Sequence, residues 1–307
     1  MKYYKTDSIN QSVRRDAAQF VSKSEEVYRR QIVAVAEQLA ENRSRHPIIL
    51  ISGPSGSGKT TTALLIEQLL DNWGFQTHTI SMDNYFLPYD MGQMPLDENG
   101  NIDLESPKRL DASLLQQHLS QLINYEPVEV PIFDFTSQTR TGTIPLHRKK
   151  DELIILEGIH ALNPAVTGQA EEIATGIYVS VRTRAENHTG TLLHPSKIRL
   201  TRRLIRNKLF RGREFHDTLA NFRSVSRGEN LFIMPYKYRA KYDIDTFFPC
   251  ELSIYKPVLL PELEKVSSDS VEFAEIRAFL EAVNPIDAQL VPSDSLIREF
   301  IGGGTFN

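Results

Sequence analysis

The side chains best suited to chemistry lie in a glycine-rich stretch at residues 48–63, IILISGPSGSGKTTTA. An apolar run precedes the motif G-x4-G-K-T, and a helix-favouring segment follows it. This spacing is typical of a loop whose backbone N–H groups and helix N-terminus surround a phosphate. We predict that Lys59 holds the outer phosphates of a nucleoside triphosphate and that the Thr60 hydroxyl ligates Mg2+. The other loop residues predicted to contact the nucleotide are Gly53, Ser55, Gly56, Ser57, Gly58 and Thr61.

Two carboxylates follow predicted strands: Asp83 comes after residues 75–81, and Glu157 comes after residues 152–156. Ligands of open parallel sheets bind beyond the carboxyl ends of the strands, so both acids are expected beside the phosphate loop. One of them could accept the proton of an attacking hydroxyl while the other helps to hold the metal. The pattern alone leaves that assignment open, and it leaves a capping or solvated role open for each acid.

A basic helix is predicted from residue 195 to 210. Its arginines at positions 199, 202, 203 and 206 have the spacing i, i+3, i+4, i+7 and therefore share one face. No acidic residue lies between positions 197 and 213, so this row should repel itself unless an anion faces it. We expect a lid over the triphosphate, extended by Arg211 and Arg213. A solvated face or an RNA-binding stripe is the alternative.

From residue 46 onward, predicted strands alternate with helices, which indicates a parallel α/β sheet. We expect a P-loop NTPase fold in residues 46–260, with a mostly parallel five-stranded sheet sandwiched by helices. A small β-hairpin insertion is expected within residues 128–147. The five strands are predicted at residues 48–52, 75–81, 152–156, 176–181 and 250–255.

The two ends of the chain are expected to form helical extensions. Residues 1–45 contain no glycine or proline and are predicted to form a helical N-terminal extension with a break near Ser24. This extension either packs on its own domain or serves as an arm, so a homo-oligomer stays possible. Residues 261–307 are predicted to form a C-terminal helical tail whose glycines at positions 302–304 fray.

Composition bounds the class of protein. The chain has 307 residues, a formal net charge of −4 and a pI of about 6.1, so no global basic field favours a nucleic-acid partner. Its one cysteine, Cys250, excludes an internal disulfide and suits a reducing compartment. No apolar stretch approaches the roughly 20 residues of a membrane span, and the first residues lack the apolar region of a signal peptide. We expect a cytoplasmic enzyme without a membrane partner.

Five further motifs carry a family resemblance. They are SMDNYF at residues 81–86, NIDLESP at 101–107, VPIFDFTSQTR at 130–140, ILEGIHAL at 155–162 and IRLTRRLIRNKLFRG at 198–212. In this order, and together with the phosphate loop, they resemble the uridine kinase branch of the uridine kinase/phosphoribulokinase family. The resemblance implies ATP- and Mg2+-dependent phosphoryl transfer to the 5′-hydroxyl of a small-molecule nucleoside.

The resemblance also implies a role for each matching residue. Asp83 would take the proton from the 5′-hydroxyl, with Lys59, Arg203 and Arg206 completing the catalytic set. Arg206 and Arg211 would lie over the phosphates of ATP. The metal would be held by Thr60, Glu157 and Asp83, and the nucleoside would be bound by Phe86, Asp103, Phe133, Phe135, Gln138 and Arg199.

The chain departs from the family pattern at three positions. Uridine and cytidine kinases usually have Tyr and His where this chain has Phe133 and Gln138, which leaves the preferred base open. An acid usually stands at the position of Asn207. A kinase of the same fold that phosphorylates a sugar phosphate or pantothenate is one alternative, although residues 83–102 contain no Lys or Arg. A nucleotide-binding regulator without chemistry is another, although the one Asn-Lys pair lacks the Asp of a guanine-reading motif.

Overall fold

The computed structural model describes residues 2–90, 92, 94–168, 172–266 and 270–306. Its strands in chain order are β1 (Tyr3–Lys5), β2 (Ile48–Ser52), β3 (Thr77–Ser81), β4 (Val128–Asp134), β5 (Thr139–Leu146), β6 (Leu153–Glu157), β7 (Ala174–Ser180), β8 (Arg184–Glu186), β9 (Leu192–Leu193) and β10 (Tyr242–Asp245). Its α-helices are α1 (Thr6–Asn42), α2 (Lys59–Asn72), α3 (Ala112–Ile123), α4 (Pro164–Thr167), α5 (Pro195–Phe210), α6 (Phe215–Phe232), α7 (Glu251–Glu264), α8 (Val271–Ala282) and α9 (Arg298–Ile301). Short 3₁₀ helices lie at Met82–Tyr85, Pro107–Arg109, Met234–Arg239 and Ala288–Leu290.

The central sheet has five strands in the order β10-β7-β2-β6-β3, and every neighbouring pair is parallel. All five residues of β2 are buried, as expected for the middle strand of a sheet covered on both faces. This arrangement confirms the predicted α/β sheet. All five strands end at the edge where the phosphate loop begins, so the loops that follow them can converge there.

The predicted fifth strand was wrong. Residues 251–264 form α7, and the fifth strand of the sheet is β10 instead. The residues 251–255 are all buried, and a short run that is buried on every side has no periodicity that separates a strand from a helix.

A two-stranded antiparallel sheet of β4 and β5 forms the predicted hairpin, with an irregular register between Ile132 and Phe133. Its second strand, β5, begins at Thr139. Gln138, in the turn, has a φ of 55°. A separate small sheet joins β1 to β8 in parallel and β8 to β9 in antiparallel fashion.

The long N-terminal helix breaks at Asp16 and not near Ser24. Asp16 has extended backbone angles (φ −169°, ψ 100°), and its carboxylate accepts a hydrogen bond from the Gln19 N–H at 2.9 Å. Asp16 thus acts as an N-cap within the chain, from which the helix restarts. Ser24 stays helical and donates its hydroxyl to the Phe20 carbonyl at 2.8 Å.

One hydrophobic cluster joins both ends of the chain to the sheet. Apolar residues of α1, α7, α8 and the last turn pack in the same cluster as Ile49 and Ile51 of β2. The expected fraying of the terminal glycines was wrong for Gly302, which is buried against Phe210 and leaves no room for a Cβ. Within the described residues, no helix combines the length and hydrophobicity that a membrane span would need.

Candidate active site

The phosphate loop joins β2 to α2 and is fixed by two close approaches. A Cβ on Gly53 would lie 2.0 Å from the Val179 carbonyl oxygen of β7, so only glycine fits there. Gly58 has a left-handed φ of 84°, and a Cβ on it would meet Leu296 at 2.3 Å. The loop is therefore held between β7 of the sheet and Leu296 near the C-terminus. The Ser57 hydroxyl is buried without a hydrogen-bond partner in the described part of the chain, as a ligand-binding loop would leave it.

Asp83 and Glu157 follow adjacent strands, because Ser81 at the end of β3 lies opposite Glu157 at the end of β6. Ser81 donates its hydroxyl to Glu157 at 2.9 Å, and Glu157 is buried. Asp83 lies in the first turn of the 3₁₀ helix after β3, and its side chain reaches solvent. The structure thus brings both predicted acids to the loop edge of the sheet, one open and one enclosed.

The charges of this edge act on one another. The protein around Asp83 desolvates its carboxylate and raises its pKa, while the ammonium of Lys59 lowers it in part. Burial likewise raises the pKa of Glu157, Lys59 lowers it, and the negative charge of Asp83 raises it further. Two carboxylates and one ammonium therefore share one electrostatic neighbourhood.

The residues present fit a Mg2+ ion. Thr60 offers an exposed hydroxyl, and Glu157 and Asp83 offer carboxylate oxygens, which are the hard ligands that Mg2+ prefers. The raising of the Glu157 pKa by Asp83 is what a bound cation would offset. Across the described residues no cluster of three or more His, Cys, Asp or Glu forms a closed metal cage. An ion held by one or two carboxylates plus phosphate oxygens agrees with that finding.

Most arginines of α5 pair with carboxylates of the protein itself. Arg199 contacts Glu229 at 2.6 Å, Arg202 contacts Glu251 at 2.8 Å, and Arg206 contacts Glu299 at 3.4 Å. The inference that only a bound anion could neutralise this row was therefore wrong. The acidic partners of these arginines lie on α6, α7 and α9, outside residues 197–213, the stretch that contains no acidic residue.

Arg202 belongs to the protein interior. Its side chain and that of Glu251 are both fully buried, and its guanidinium also donates to the Gly56 carbonyl at 3.2 Å and to Thr246. This residue ties the phosphate loop to α7 and does not face the site. The prediction that Arg202 belongs to a lid is corrected accordingly.

Arg203 is the arginine of this row that points at the loop without an ion pair in the described chain. It donates to the Ser55 hydroxyl, and burial together with the charge of Arg206 lowers its pKa to about 10. Burial and the charges of Arg206 and Arg213 also lower the pKa of Arg211. Uncompensated guanidinium charge next to a phosphate loop is what an anionic ligand would stabilise.

Three phenylalanines form an aromatic cluster beside Asp83. The ring centroids of Phe86, Phe133 and Phe135 lie 5.2 to 6.0 Å apart. Phe133 is buried, whereas 55% of Phe135 is exposed. Gln138 donates its amide to the Phe135 carbonyl at 2.7 Å, and the Arg109 guanidinium lies 4.7 Å from the centre of the Phe86 ring. The hairpin thus presents one open aromatic face.

Asp103 and Arg199, the predicted ribose contacts, are each held by α6. Asp103 is buried and pairs with Arg227 at 2.8 Å. Arg199 donates to the Ser55 carbonyl at 3.0 Å as well as to Glu229. Sequence reasoning missed Arg227 and Glu229. Their signal was Gly228 between them, because a glycine inside a helix marks a close backbone approach; a Cβ added to Gly228 would lie 2.3 Å from the Glu105 side chain.

His160 is a third residue that sequence reasoning missed. It is buried, it contacts the Glu105 carbonyl at 2.9 Å through Nε2, and its ring meets Phe232 edge-on. Burial lowers its pKa to about 4, so it is neutral at pH 7. His160 links the end of β6 to the loop of Asp103 and to α6. Its signal was its position three residues after Glu157.

The fold and this arrangement define a P-loop kinase. The model of the "Phosphoribulokinase / Uridine kinase family" matches residues 48–250, which include every strand of the central sheet. The chain belongs to that family and is a kinase.

Named relatives agree with this assignment. The uridine kinase of Anoxybacillus flavithermus is 33% identical over 197 residues, which cover 64% of this chain and 83% of the relative. The uridine kinase of Geobacillus kaustophilus is 28% identical over 240 residues, which cover 77% of this chain and 97% of the relative. A solved structure from Silicibacter sp. TM1040, named after a fructose transport system kinase, shares the fold with a TM-score of 0.54 at 18% identity, covering 69% of this chain and 98% of that one.

Proposed function

We propose that this protein transfers the γ-phosphoryl group of ATP to the 5′-hydroxyl of a nucleoside. The observation that carries the proposal is the convergence of Lys59, Asp83 and Glu157 at the phosphate loop, next to an open aromatic face. The similarity to uridine kinases supports a nucleoside as the acceptor. Products would be a nucleoside 5′-monophosphate and ADP.

Each residue near the loop has a distinct task in this reaction. Thr60 and Glu157 would hold a Mg2+ ion, which supplies positive charge to the phosphates when bound. Asp83, the exposed carboxylate, orients the 5′-hydroxyl and accepts its proton. The 5′-oxygen forms a bond to the γ-phosphorus while the bond from that phosphorus to the bridging oxygen of ADP breaks. Lys59 and Arg203 stabilise the negative charge that is redistributed in this step.

The acceptor would lie between the Asp83 helix and the hairpin. Asp103 and Arg199 bind its ribose hydroxyls, while Arg206 and Arg211 cover the phosphates of ATP. The exposed ring of Phe135 stacks on the base, because every base offers a π face to an aromatic side chain. Phe86, Phe133 and Gln138 complete the base pocket. Uridine is the acceptor most consistent with the names of the relatives, and the motif resemblance adds cytidine.

A phosphorylated or acidic acceptor is the second candidate. Its support is Arg109, whose guanidinium lies over the Phe86 ring and acts electrostatically on Asp83. Lys108 is the neighbouring cation, and both residues line a cavity of about 300 Å³ in which Asp90 is the acidic residue. Such a cationic surface near the proton acceptor would suit an anionic substrate.

A panel assay tests the proposal. The protein is incubated with ATP, Mg2+ and either nucleosides, sugar phosphates or pantothenate, and ADP and the phosphorylated product are measured by coupled assay and mass spectrometry. We expect a nucleoside 5′-monophosphate, and we expect none from the Lys59→Met variant. Turnover of a sugar phosphate but of no nucleoside would favour the second candidate, and turnover of no acceptor would refute both.

A further inference from the structure

The last residues of the chain lie against the phosphate loop. We call residues 291–306 the C-terminal segment; they lie beyond the part of the chain that matches the family model. Leu296 packs on Gly58, and the Phe300 ring lies 5.1 Å from the guanidinium of Arg202 and 5.9 Å from that of Arg206. The Thr305 N–H donates to the Ser293 carbonyl at 2.8 Å and closes the segment into a loop.

Glu299 of this segment contacts two of the predicted ATP-binding residues. One carboxylate oxygen accepts the Thr61 hydroxyl at 2.9 Å, and the other lies 3.4 Å from the Arg206 guanidinium. Thr61 stands in the first turn of α2, directly after Lys59 and Thr60. The carboxylate therefore lies at the positive N-terminal end of α2 and beside a lid arginine at the same time. These are the two features that bind a phosphate group.

The electrostatics of the site place Glu299 close to the reacting groups. Its negative charge raises the pKa of Glu157. It also raises the pKa of Arg211, which burial lowers. A triphosphate that binds the loop would bring several negative charges toward this carboxylate. The phosphates and Glu299 would then compete for the same guanidinium, since the group that Glu299 contacts on Arg206 is the one proposed to cover the phosphates.

We propose that Glu299 is a specificity-determining residue that competes with the phosphates of ATP for Arg206 and so sets the affinity for the nucleotide. The inference rests on the proposed function, because it takes ATP as the ligand of the loop. Before the nucleotide binds, Glu299 neutralises Arg206. Once the nucleotide is bound, the phosphates take over that contact, and only a strongly charged ligand displaces the carboxylate.

The test is the affinity of a non-hydrolysable Mg2+–ATP analogue, measured by titration calorimetry. Glu299→Gln has the same shape and keeps an acceptor for Thr61, but it removes the charge that holds Arg206. We expect it to bind the analogue about fivefold more tightly than the wild-type protein. Glu281→Gln, which removes an exposed charge on α8, is the matched control and should leave the affinity unchanged. In an Arg206→Gln background the gain from Glu299→Gln should shrink.

Other results would overturn the inference. An unchanged or weaker affinity of Glu299→Gln would mean that Glu299 positions Thr61 and Arg206 for the nucleotide and does not compete with it. Equal gains in both backgrounds would mean that Arg206 is not the contested group. If the wild-type protein bound no analogue, the proposed function would fail and this inference with it, whereas a failure of the variant alone leaves the proposed function intact.

Discussion

Asp83 and Glu157 show how one type of side chain serves two tasks when its surroundings differ. Both carboxylates have raised pKa values, Glu157 because it is buried and Asp83 because the surrounding protein partly desolvates it, and both are near Lys59. Glu157 is enclosed and holds a hydrogen bond from Ser81, which fixes its orientation. Asp83 is open to solvent, so an incoming hydroxyl can reach it. The open acid suits proton transfer, and the enclosed acid suits a fixed metal.

Replacing Asp83 tests this division. Asp83→Asn keeps the size of the side chain but removes the proton acceptor, so we expect turnover to fall by about 10² to 10⁴. Binding of Mg2+–ATP should be retained, because the loop and Lys59 are unchanged; steady-state kinetics and calorimetry measure the two quantities. Asp217→Asn, on the exposed face of α6, is the matched control. Retained turnover would assign the proton acceptor to another group.

His160 makes a prediction about pH. Its pKa falls from the ordinary value of 6.5 to about 4 on burial. As the pH falls below 6.5, His160 becomes protonated in the unfolded chain, whereas in the folded protein it stays neutral until about pH 4. The free energy of unfolding therefore declines across that window. The loss attributable to His160 reaches about 3 kcal/mol. Urea unfolding at pH 7 and pH 4.5 should show it.

The comparison of variants isolates this histidine from the carboxyls that titrate in the same range. The stability difference between the two pH values should be smaller in His160→Gln than in the wild-type protein. His188→Gln, at an exposed position, should behave like the wild-type protein. Equal pH dependence in all three proteins would contradict the proposed neutral, buried state of His160.

Helix α5 carries neighbouring arginines with separate roles. Arg202 lies inside the protein between Glu251 and the Gly56 carbonyl, whereas Arg203 turns to Ser55 at the loop surface. A rotation of about 100° per residue places adjacent side chains on different sides of a helix. The element therefore joins the loop to α7 on one side and faces the ligand on the other.

Two substitutions on this helix should separate stability from activity. Arg202→Met leaves the buried carboxylate of Glu251 without its cationic partner and should lower the free energy of unfolding by about 3 to 5 kcal/mol. Arg202→Met combined with Glu251→Leu should recover part of that loss. Arg203→Met should leave stability nearly unchanged and reduce turnover about a hundredfold. Chemical denaturation and kinetics measure the two effects, and equal destabilisation by both single variants would contradict the assignment.

The hairpin β4–β5 carries its own prediction. Phe135 is exposed and extends the buried ring of Phe133, so its loss should remove a stacking surface without harming the core. Phe135→Ala should raise the KM for the nucleoside about tenfold and leave the KM for ATP unchanged. Tyr238→Ala, which removes another exposed ring, is the control. An unchanged KM for the nucleoside would exclude Phe135 from the base pocket.

Elements with a local signal were predictable from the sequence, and contacts between distant elements were not. The phosphate loop and the span of α5 follow from motif and periodicity, and the structure confirms them. The partners of the α5 arginines come from residues 30 to 93 positions away, so no window around the helix contains them. The missed start of α7 has the same cause, since the burial of residues 251–255 on every side comes from tertiary packing.

At the scale of the whole molecule, the two ends of the chain meet at α2. The Tyr28 hydroxyl of α1 bonds to Thr62 at 2.8 Å, directly after the phosphate loop. The Ser295 hydroxyl of the C-terminal segment donates to Glu25 of α1, and Arg29 pairs with Asp294 at 2.7 Å. The ends of the chain thus brace the first turn of the helix that carries Lys59 and Thr60.

This bracing leads to the last prediction. A chain that begins at Arg45 would expose the sheet face that α1 covers with residues including Tyr28, Ile32 and Leu39. Large buried side chains contribute about 2 to 5 kcal/mol each, so their joint loss is comparable to the whole stability of an ordinary domain. We expect this chain to lose its cooperative thermal transition in circular dichroism.

Milder variants show whether α1 acts through its packing or through the brace. Removal of residues 2–4 takes away most of β1 and its pairing with β8 but leaves α1 in place, so it should lower the transition far less than the loss of α1 does. Tyr28→Phe keeps the packing and removes the bond to Thr62, which should cost about 1 kcal/mol. If the chain from Arg45 unfolded cooperatively at the wild-type midpoint, the rest of the protein would fold without α1, and α1 would be an appendage. The shared core argues for the opposite result, because α1 and the sheet bury the same cluster of side chains.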